Sequence, residues 1–282
     1  RDDCVLPRCG DGILDPGEAC DAGSAGIVEV AWRGDAACIL TEEGAVRCTG
    51  GSEAFRAVPE SLGKNAASLS VGDGFACALA TPGAGGGTIV CWGEDPTGDP
   101  ARPVLSPPTG IYDAIALGDA HGCAWKAAST TVRCWGRIHA SDVEGATGFR
   151  AIASGRGFTC GREFFGITCW GTQDFGIPNG PPTRFTAARL AAGEHHACVV
   201  RADDERTITC WGDGADGKAA PPPPGARVID LALGADRSCA LDEAGQPFCW
   251  GADDGAPVPE GPFERIFASG RGVCGQIGRA HV

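Results

Sequence analysis

Short apolar runs punctuate the chain at near-regular intervals. Ile27-Val28-Glu29-Val30, Ser68-Leu69-Ser70-Val71, Ala114-Ile115-Ala116-Leu117 and the runs at 150–153, 188–191, 229–233 and 265–268 are each four or five residues long. Several alternate with a period of two. Runs this short do not sustain a helix, and the alternation predicts strands. Each run leads to a glycine (Gly34, Gly72, Gly118, Gly155, Gly193, Gly234, Gly270), and four or five positions later comes a cysteine. A turn follows, then a further strand such as Ile208-Thr209-Cys210-Trp211. A strand-rich unit recurring every roughly 40 residues predicts an array of small sheets, the pattern of a β-propeller.

The cysteines carry the same period. Cys38, Cys77, Cys123, Cys160, Cys198, Cys239 and Cys274 form one series, and Cys48, Cys91, Cys134, Cys169, Cys210 and Cys249 form a second. Five of the second series precede a Trp-Gly pair (Trp92, Trp135, Trp170, Trp211, Trp250), where the first repeat has Thr49-Gly50. Each pair of cysteines brackets a hairpin, and facing residues of antiparallel strands lie about 4.5–5.5 Å apart at Cα, within disulfide reach. The simplest pairing is therefore Cys38–Cys48, Cys77–Cys91, Cys123–Cys134, Cys160–Cys169, Cys198–Cys210 and Cys239–Cys249. Each bridge closes a short loop and stabilises by somewhat under about 3 kcal/mol in the chain-entropy view. Cys274 is expected to pair with a return strand missing from the seventh repeat, and the partners of Cys4, Cys9 and Cys20 stay open. Sixteen cysteines so arranged predict an oxidising compartment, hence a secreted or surface-displayed protein.

The motif of apolar strand, Gly-x-x-His-x-Cys-Ala, turn, Val-x-Cys-Trp-Gly resembles the bacterial, disulfide-bearing form of the repeats named after the regulator of chromosome condensation. Gly118-Asp119-Ala120-His121-Gly122-Cys123-Ala124 and Gly193-Glu194-His195-His196-Ala197-Cys198 are its best copies. The resemblance spans Ile27 to about Gln276. It implies an all-β, seven-bladed β-propeller whose last blade is incomplete. It implies little about activity, because such propellers include a nuclear exchange factor, a β-lactamase inhibitor and a plant ultraviolet photoreceptor. Residues 1–26 hold Cys9-Gly10-Asp11-Gly12 through Cys20-Asp21, which is similar to the start of a cysteine-rich repeat of secreted myxobacterial proteins. The domain reading is thus 1–26 as a partial, disulfide-rich N-terminal repeat, 27–276 as the propeller, and 277–282 as a sequencing or cloning scar. The chain contains no Met, even at position 1, so it is read as a processed or truncated fragment from which any signal peptide has gone.

Composition changes this picture only at the edges. Gly (45) and Pro (20) are abundant, but 7 Trp, 11 Phe and 16 Cys speak against disorder. The net charge of −13 argues against nucleic acid and anionic membranes as partners. No apolar run approaches the ~18 residues of a transmembrane segment.

The candidate chemistry is sparse. Gly212-Asp213-Gly214-Ala215-Asp216-Gly217-Lys218 nearly matches a phosphate-binding loop, but Ala219 stands where a Mg²⁺-binding hydroxyl is needed, and prolines follow where a helix should start. It reads as a propeller loop. His121 and His196 share one repeat position with Phe75, Phe158 and Arg237, which predicts a packing role; His139 is the other propeller histidine. The Trp-Gly tryptophans read as blade packing, leaving Trp32 and Trp125 as the ligand-facing aromatics. Asp11, Asp15, Glu18 and Asp21 are candidate Ca²⁺ ligands, the one cofactor the sequence suggests. Asp203-Asp204 and Asp253-Asp254 read as solvated turns. No catalytic motif appears. The function expected is an extracellular, non-enzymatic binding scaffold for a protein or glycan partner, working through loops on one face; the unequal loops 82–87, 137–145, 201–206 and 212–225 are its candidates. The alternative is a carbohydrate-active propeller enzyme, a lyase or glycosidase, with loop carboxylates at the central channel.

Overall fold

The computed structural model describes residues 26–81, 86–127, 129, 131–138, 148–180, 186–202, 206–220, 222, 227–252, 258–270 and 272–276. They fall into two compact units, one ending before and one beginning at Gly148. The N-terminal cysteine-rich segment, with Cys4, Cys9, Cys20 and the Ca²⁺ candidates Asp11, Asp15, Glu18 and Asp21, lies outside the described residues, as do His139 and 277–282.

The first unit holds three antiparallel sheets: β1 (Ile27–Arg33), β2 (Ala36–Thr41) and β3 (Val46–Thr49); β4 (Ala66–Val71), β5 (Phe75–Ala80) and β6 (Thr88–Gly93); β7 (Ala114–Leu117), β8 (His121–Lys126) and β9 (Thr131–Gly136). The second unit holds four: β10 (Ala151–Ser154), β11 (Phe158–Arg162) and β12 (Ile167–Gly171); β13 (Ala187–Ala192), β14 (His196–Arg201) and β15 (Ile208–Gly212); β16 (Val228–Leu233), β17 (Arg237–Asp242) and β18 (Pro247–Gly251); β19 (Arg265–Ser269) and β20 (Gly272–Gln276). Strands pair in chain order, so seven sheets stand where seven repeats were read. The middle strand is the buried one: in β5, Phe75, Ala76, Cys77, Ala78 and Leu79 are all buried. In the first six sheets the two cysteines of the second and third strands face each other in register, with Cα atoms 4.0–4.1 Å apart, and a disulfide joins them. In the seventh sheet, buried Cys274 lies opposite Phe267.

Two repeated contacts bind one sheet to the next within a unit. The first is a plug. The connectors after Trp92, Trp170 and Trp211 each tuck one side chain between sheets, namely Val104, Ile177 and Lys218, and in the first connector Phe55 does the same. The tryptophan of the following sheet then donates its indole N–H to the plug's carbonyl: Trp92 to Phe55 (2.8 Å), Trp135 to Val104 (2.7 Å) and Trp250 to Lys218 (3.1 Å). Phe55 sits on a one-turn helix, α1 (Glu53–Arg56), capped by Ser52, whose Oγ accepts the Phe55 N–H at 3.2 Å. This turn and the 3₁₀ turns Glu60–Leu62, Asp174–Asn179 and Ala215–Gly217 occupy connectors that the sequence presented as plain loops. Three of these turns position plugs: α1 carries Phe55, Asp174–Asn179 carries Ile177, and Ala215–Gly217 runs directly into Lys218.

The second contact explains the recurring glycine at positions 155, 193 and 234. The N–H following it donates to the carbonyl of the corresponding turn in the next sheet: Asp73 to Asp119, Arg156 to Glu194, Glu194 to Gly234, and Ala235 to Gly270. A Cβ on Gly155, Gly193 or Gly234 would collide with the next turn's carbonyl oxygen, at Gly193, Gly234 and Gly270 respectively. Close backbone approach, not a turn conformation, is what requires glycine here. Polar side chains close the remaining edge donors of the first strands: Glu29 accepts from Leu69 N–H, Ser70 from Leu117 N–H, and Asp230 from Ile266 N–H, each at 3.0 Å.

Candidate functional site

Every three-stranded sheet has two ends, and antiparallel pairing decides which loops share one. At one end, the glycine turn meets the segment leaving Trp-Gly: Glu94 N–H bonds Gly74 O, Arg137 bonds Ala120, Thr172 bonds Gly157, and Asp213 bonds His195. At the other end lie the hairpin turns, joined to the incoming connector by bonds such as Thr81 N–H to Asn65 O and Arg150 N–H to Arg162 O. Of the candidate loops, 82–85, 139–145, 203–205, 221 and 223–225 lie outside the described residues; the described starts of two, Arg137-Ile138 and Gly212–Ala220, leave from the Trp-Gly end, whereas the described flanks of the other two, Thr81 and Arg201-Ala202, lie at the hairpin end. Within each unit, then, the described flanks of the two candidate loops lie at opposite ends of the sheets rather than on the one face expected. A strand between them reverses direction, so a hairpin turn and a sheet exit cannot coincide.

The densest gathering of reactive groups lies at the Trp-Gly end of the second unit. His196 is fully buried, and its Nε2 is 2.7 Å from Ser238 Oγ. Ser238 in turn donates to the Lys218 carbonyl at 2.9 Å. Lys218, only 3% exposed, sends its ammonium to Asp213 (2.8 Å) and Asp236 (3.6 Å). The directions of these bonds settle the chemistry. A carbonyl only accepts, so the serine proton is committed to Lys218 O, and His196 must donate its Nε2 proton to Ser238. That is the reverse of a histidine activating a serine. Burial, reinforced by the Lys218 charge, pushes the His196 pKa down to about 4, so the ring is neutral near pH 7. Burial opposes the Lys218 charge, but the hydrogen bond it donates to Asp213 and the charges of the two carboxylates outweigh it and hold the ammonium above its ordinary pKa. The Lys218 hydrogen bond in turn holds the Asp213 carboxyl below its usual range. The near phosphate-binding loop thus spends its lysine on two aspartates inside the protein.

His121 is also fully buried, at the equivalent position of β8, in keeping with the packing role read for both histidines. Trp92, Trp135, Trp170 and Trp211 are buried as blade packing requires, and Trp250 is half-buried. Trp32 and Trp125 are half-buried rather than open. Trp32 donates to Gly34 O at 2.7 Å, while the buried Trp125 indole N–H has no acceptor. The large exposed aromatics are others. Phe164 and Phe165, 51% and 70% exposed, form an edge-to-face pair (centroids 4.4 Å apart) at the tip of the β11–β12 hairpin. Arg150 lies over the Phe164 ring at 4.9 Å. At the opposite end, Phe175 is 51% exposed at φ 59°, its ring 4.6 Å from that of His195. Sequence reading passed over all three because they interrupt no motif; two adjacent phenylalanines in a predicted hairpin turn were the available signal. The carboxylate pairs Asp203-Asp204 and Asp253-Asp254 lie outside the described residues, apart from their flanks.

No protein-family model matches the chain, and no curated protein matches it either. Solved structures do. The ectodomain of the Physcomitrella patens receptor kinase CR4 is 26% identical over 90% of this chain and 71% of its own, with a TM-score of 0.68. The CRINKLY WD40 ectodomain of the Arabidopsis thaliana receptor kinase ACR4 is 22% identical, covering 90% of this chain and 94% of its own, with a TM-score of 0.68. Prp20p of Saccharomyces cerevisiae, the yeast RCC1, is 16% identical over 90% of this chain and 83% of its own, with a TM-score of 0.69. The fold is an all-β propeller of the RCC1-like kind. No helix among the described residues is long and apolar enough to cross a membrane.

Proposed function

We propose that the chain is a non-enzymatic binding scaffold that works outside the cell, secreted or surface-displayed, and recognises a partner protein through side chains presented at the ends of its sheets. The bacterial origin suggested by its disulfide-bearing repeats belongs to the same proposal. One contrast carries this reading. The nucleophilic and charged groups that the fold gathers at Ser238, His196, Lys218 and Asp213 are consumed by internal bonds, whereas Phe164, Phe165 and Phe175 are held in solvent on short turns. Exposed aromatics on a rigid frame are the usual anchors of protein recognition. The six local disulfides support an oxidising location. Two of the similar structures are receptor ectodomains, and Prp20p is described with its binding to Gsp1p and histones, which supports a binding role without naming a partner. A glycan partner stays within the proposal. The carbohydrate-enzyme alternative needs two carboxyls facing across a cleft, and Asp213 and Asp236 instead close on one lysine.

The test is capture from the producing organism's culture medium with the oxidised protein, alongside a Phe165→Ser, Phe175→Ser double variant of unchanged melting temperature. A partner held by the wild type and lost by the variant is expected. Equal capture by both would overturn recognition through these aromatics, and turnover of a polysaccharide by the wild type would overturn the non-enzymatic reading.

A further inference from the structure

The hairpin end of the second unit gathers three arginines, Arg150, Arg162 and Arg189, close enough for their charges to interact. Arg150 has no carboxylate partner among the described residues; its guanidinium rests on Phe164. Arg162 has none either. Its Nη1 donates to Ala187 O at 2.7 Å, and its buried Nε has no acceptor. Arg189 stands two positions beyond Ala187 on β13, largely exposed, with Asp230 only at 4.0 Å. That contact is to Oδ1, at the outer limit of an ion pair, while Oδ2 accepts from Ile266 N–H. The nearby Glu163 is held by Thr168 Oγ1 at 2.6 Å rather than by an arginine. The three charges feel one another: burial, then repulsion from Arg150 and Arg189, holds the Arg162 pKa below its ordinary value. A half-buried guanidinium with an unmet donor and cationic neighbours is a site short of an anion.

Resting on the binding-scaffold reading, we propose that Arg150, Arg162, Arg189, Phe164 and Phe165 form a docking surface for an acidic segment of a partner protein, whose carboxylates meet the arginines while its apolar side chains cover the phenylalanine pair. Charge complementarity selects the acidic partner, since this patch is cationic on a molecule of net charge −13. The phenylalanines select protein over a simple anion or sulfated glycan. Sugars stack on open ring faces, and the Phe164 face is covered by Arg150 while the pair meets edge to face. A sulfated chain would satisfy the arginines and leave Phe165 in water.

The oxidised chain is titrated by fluorescence anisotropy against three probes: a labelled peptide of alternating Glu and Leu, the same peptide with Lys for Glu, and a labelled heparin fragment. Arg150→Glu and Phe165→Ser are the variants, because Arg162 also bonds Ala187 O and its loss would disturb the fold. The Glu/Leu peptide should bind, should weaken by about tenfold or more in each variant, and should weaken with added salt. The Lys/Leu peptide should not bind. No binding of the acidic peptide, equal binding of both peptides, or heparin binding that survives Phe165→Ser would each overturn the proposal. Capture of a native partner that survives both substitutions would overturn this patch and leave the scaffold reading standing.

Discussion

His196 and Ser238 show how one substitution in a repeat propagates into its neighbour. In the preceding pair of sheets the same two places are taken by Phe158 and Ala197, both buried and apolar. A histidine at the first place needs an acceptor, and Ser238 supplies one from the next sheet. The consequence is a pH dependence. Unfolded, the ring titrates near its ordinary 6.5; folded, near 4. Between those values the unfolded chain binds more protons, so stability is full above pH 6.5 and drains away as the pH falls toward 4, by on the order of 3 kcal/mol. Urea melts at pH 7 and pH 4.5 should show this loss in the wild type. A His196→Phe, Ser238→Ala double variant, which rebuilds the Phe158–Ala197 arrangement, should show a much flatter profile; an equal slope would assign the effect elsewhere. Asp213, whose carboxyl pKa is depressed, adds stability that is fully present above its ordinary pKa and is lost only as the pH falls below it, outside this window. Nothing in the sequence marked Lys218 as buried. A lysine in a Gly-Asp loop reads as solvated or phosphate-seeking, and only its alignment with Ile177 in the preceding connector gives it away.

At the level of the element, a repeat glycine and a connector glycine do different work. Gly193 has no special φ, yet a Cβ there would strike the Gly234 carbonyl and come within 2.6 Å of the His196 ring. Gly98 has φ +58° and open space around it. Gly193→Ala must push two sheets apart and should cost about 2–4 kcal/mol, whereas Gly98→Ala meets only backbone strain of about 1–2 kcal/mol. Thermal melts of the two variants check this, and a Gly193→Ala protein as stable as Gly98→Ala would refute the close-approach account. The strands and hairpins were legible because each is short, locally patterned and repeated, so seven noisy signals reinforce one another. The plugs were not legible. Phe55, Val104, Ile177 and Lys218 share no residue type and sit in connectors of unequal length, so only packing against the next tryptophan defines them. The functional ends suffered likewise: candidate loops were chosen by composition, and their placement on one face failed because strand direction was not followed through each sheet.

Across the whole molecule, covalent and non-covalent bonding divide the labour. Among the described residues the six disulfides span 9–14 residues each and begin and end within one sheet. Adhesion between neighbouring sheets of a unit rests on plugs, tryptophan hydrogen bonds and the glycine-turn relay. Replacing Cys77 and Cys91 together by alanine should therefore lower stability by about 2–3 kcal/mol while the remaining five bridges form unchanged. Calorimetry and mass mapping of the variant measure both, and scrambling among the other cysteines would contradict the independence of the bridges.

That locality bears on how the chain acquires its bridges in time. A hairpin of this length closes within microseconds, far faster than thiols oxidise. In each of the first six repeats the second cysteine follows the first by 9–14 residues, with no other cysteine between them. When such a chain emerges end first into an oxidant, the nearest available thiol is also the native partner, and each pair can be sealed before the next repeat appears. The usual hazard of a cysteine-rich protein, a combinatorial search among mispaired forms, is replaced by a vectorial sequence of local choices. Each repeat arrives already stapled, ready to be laid against the one before it.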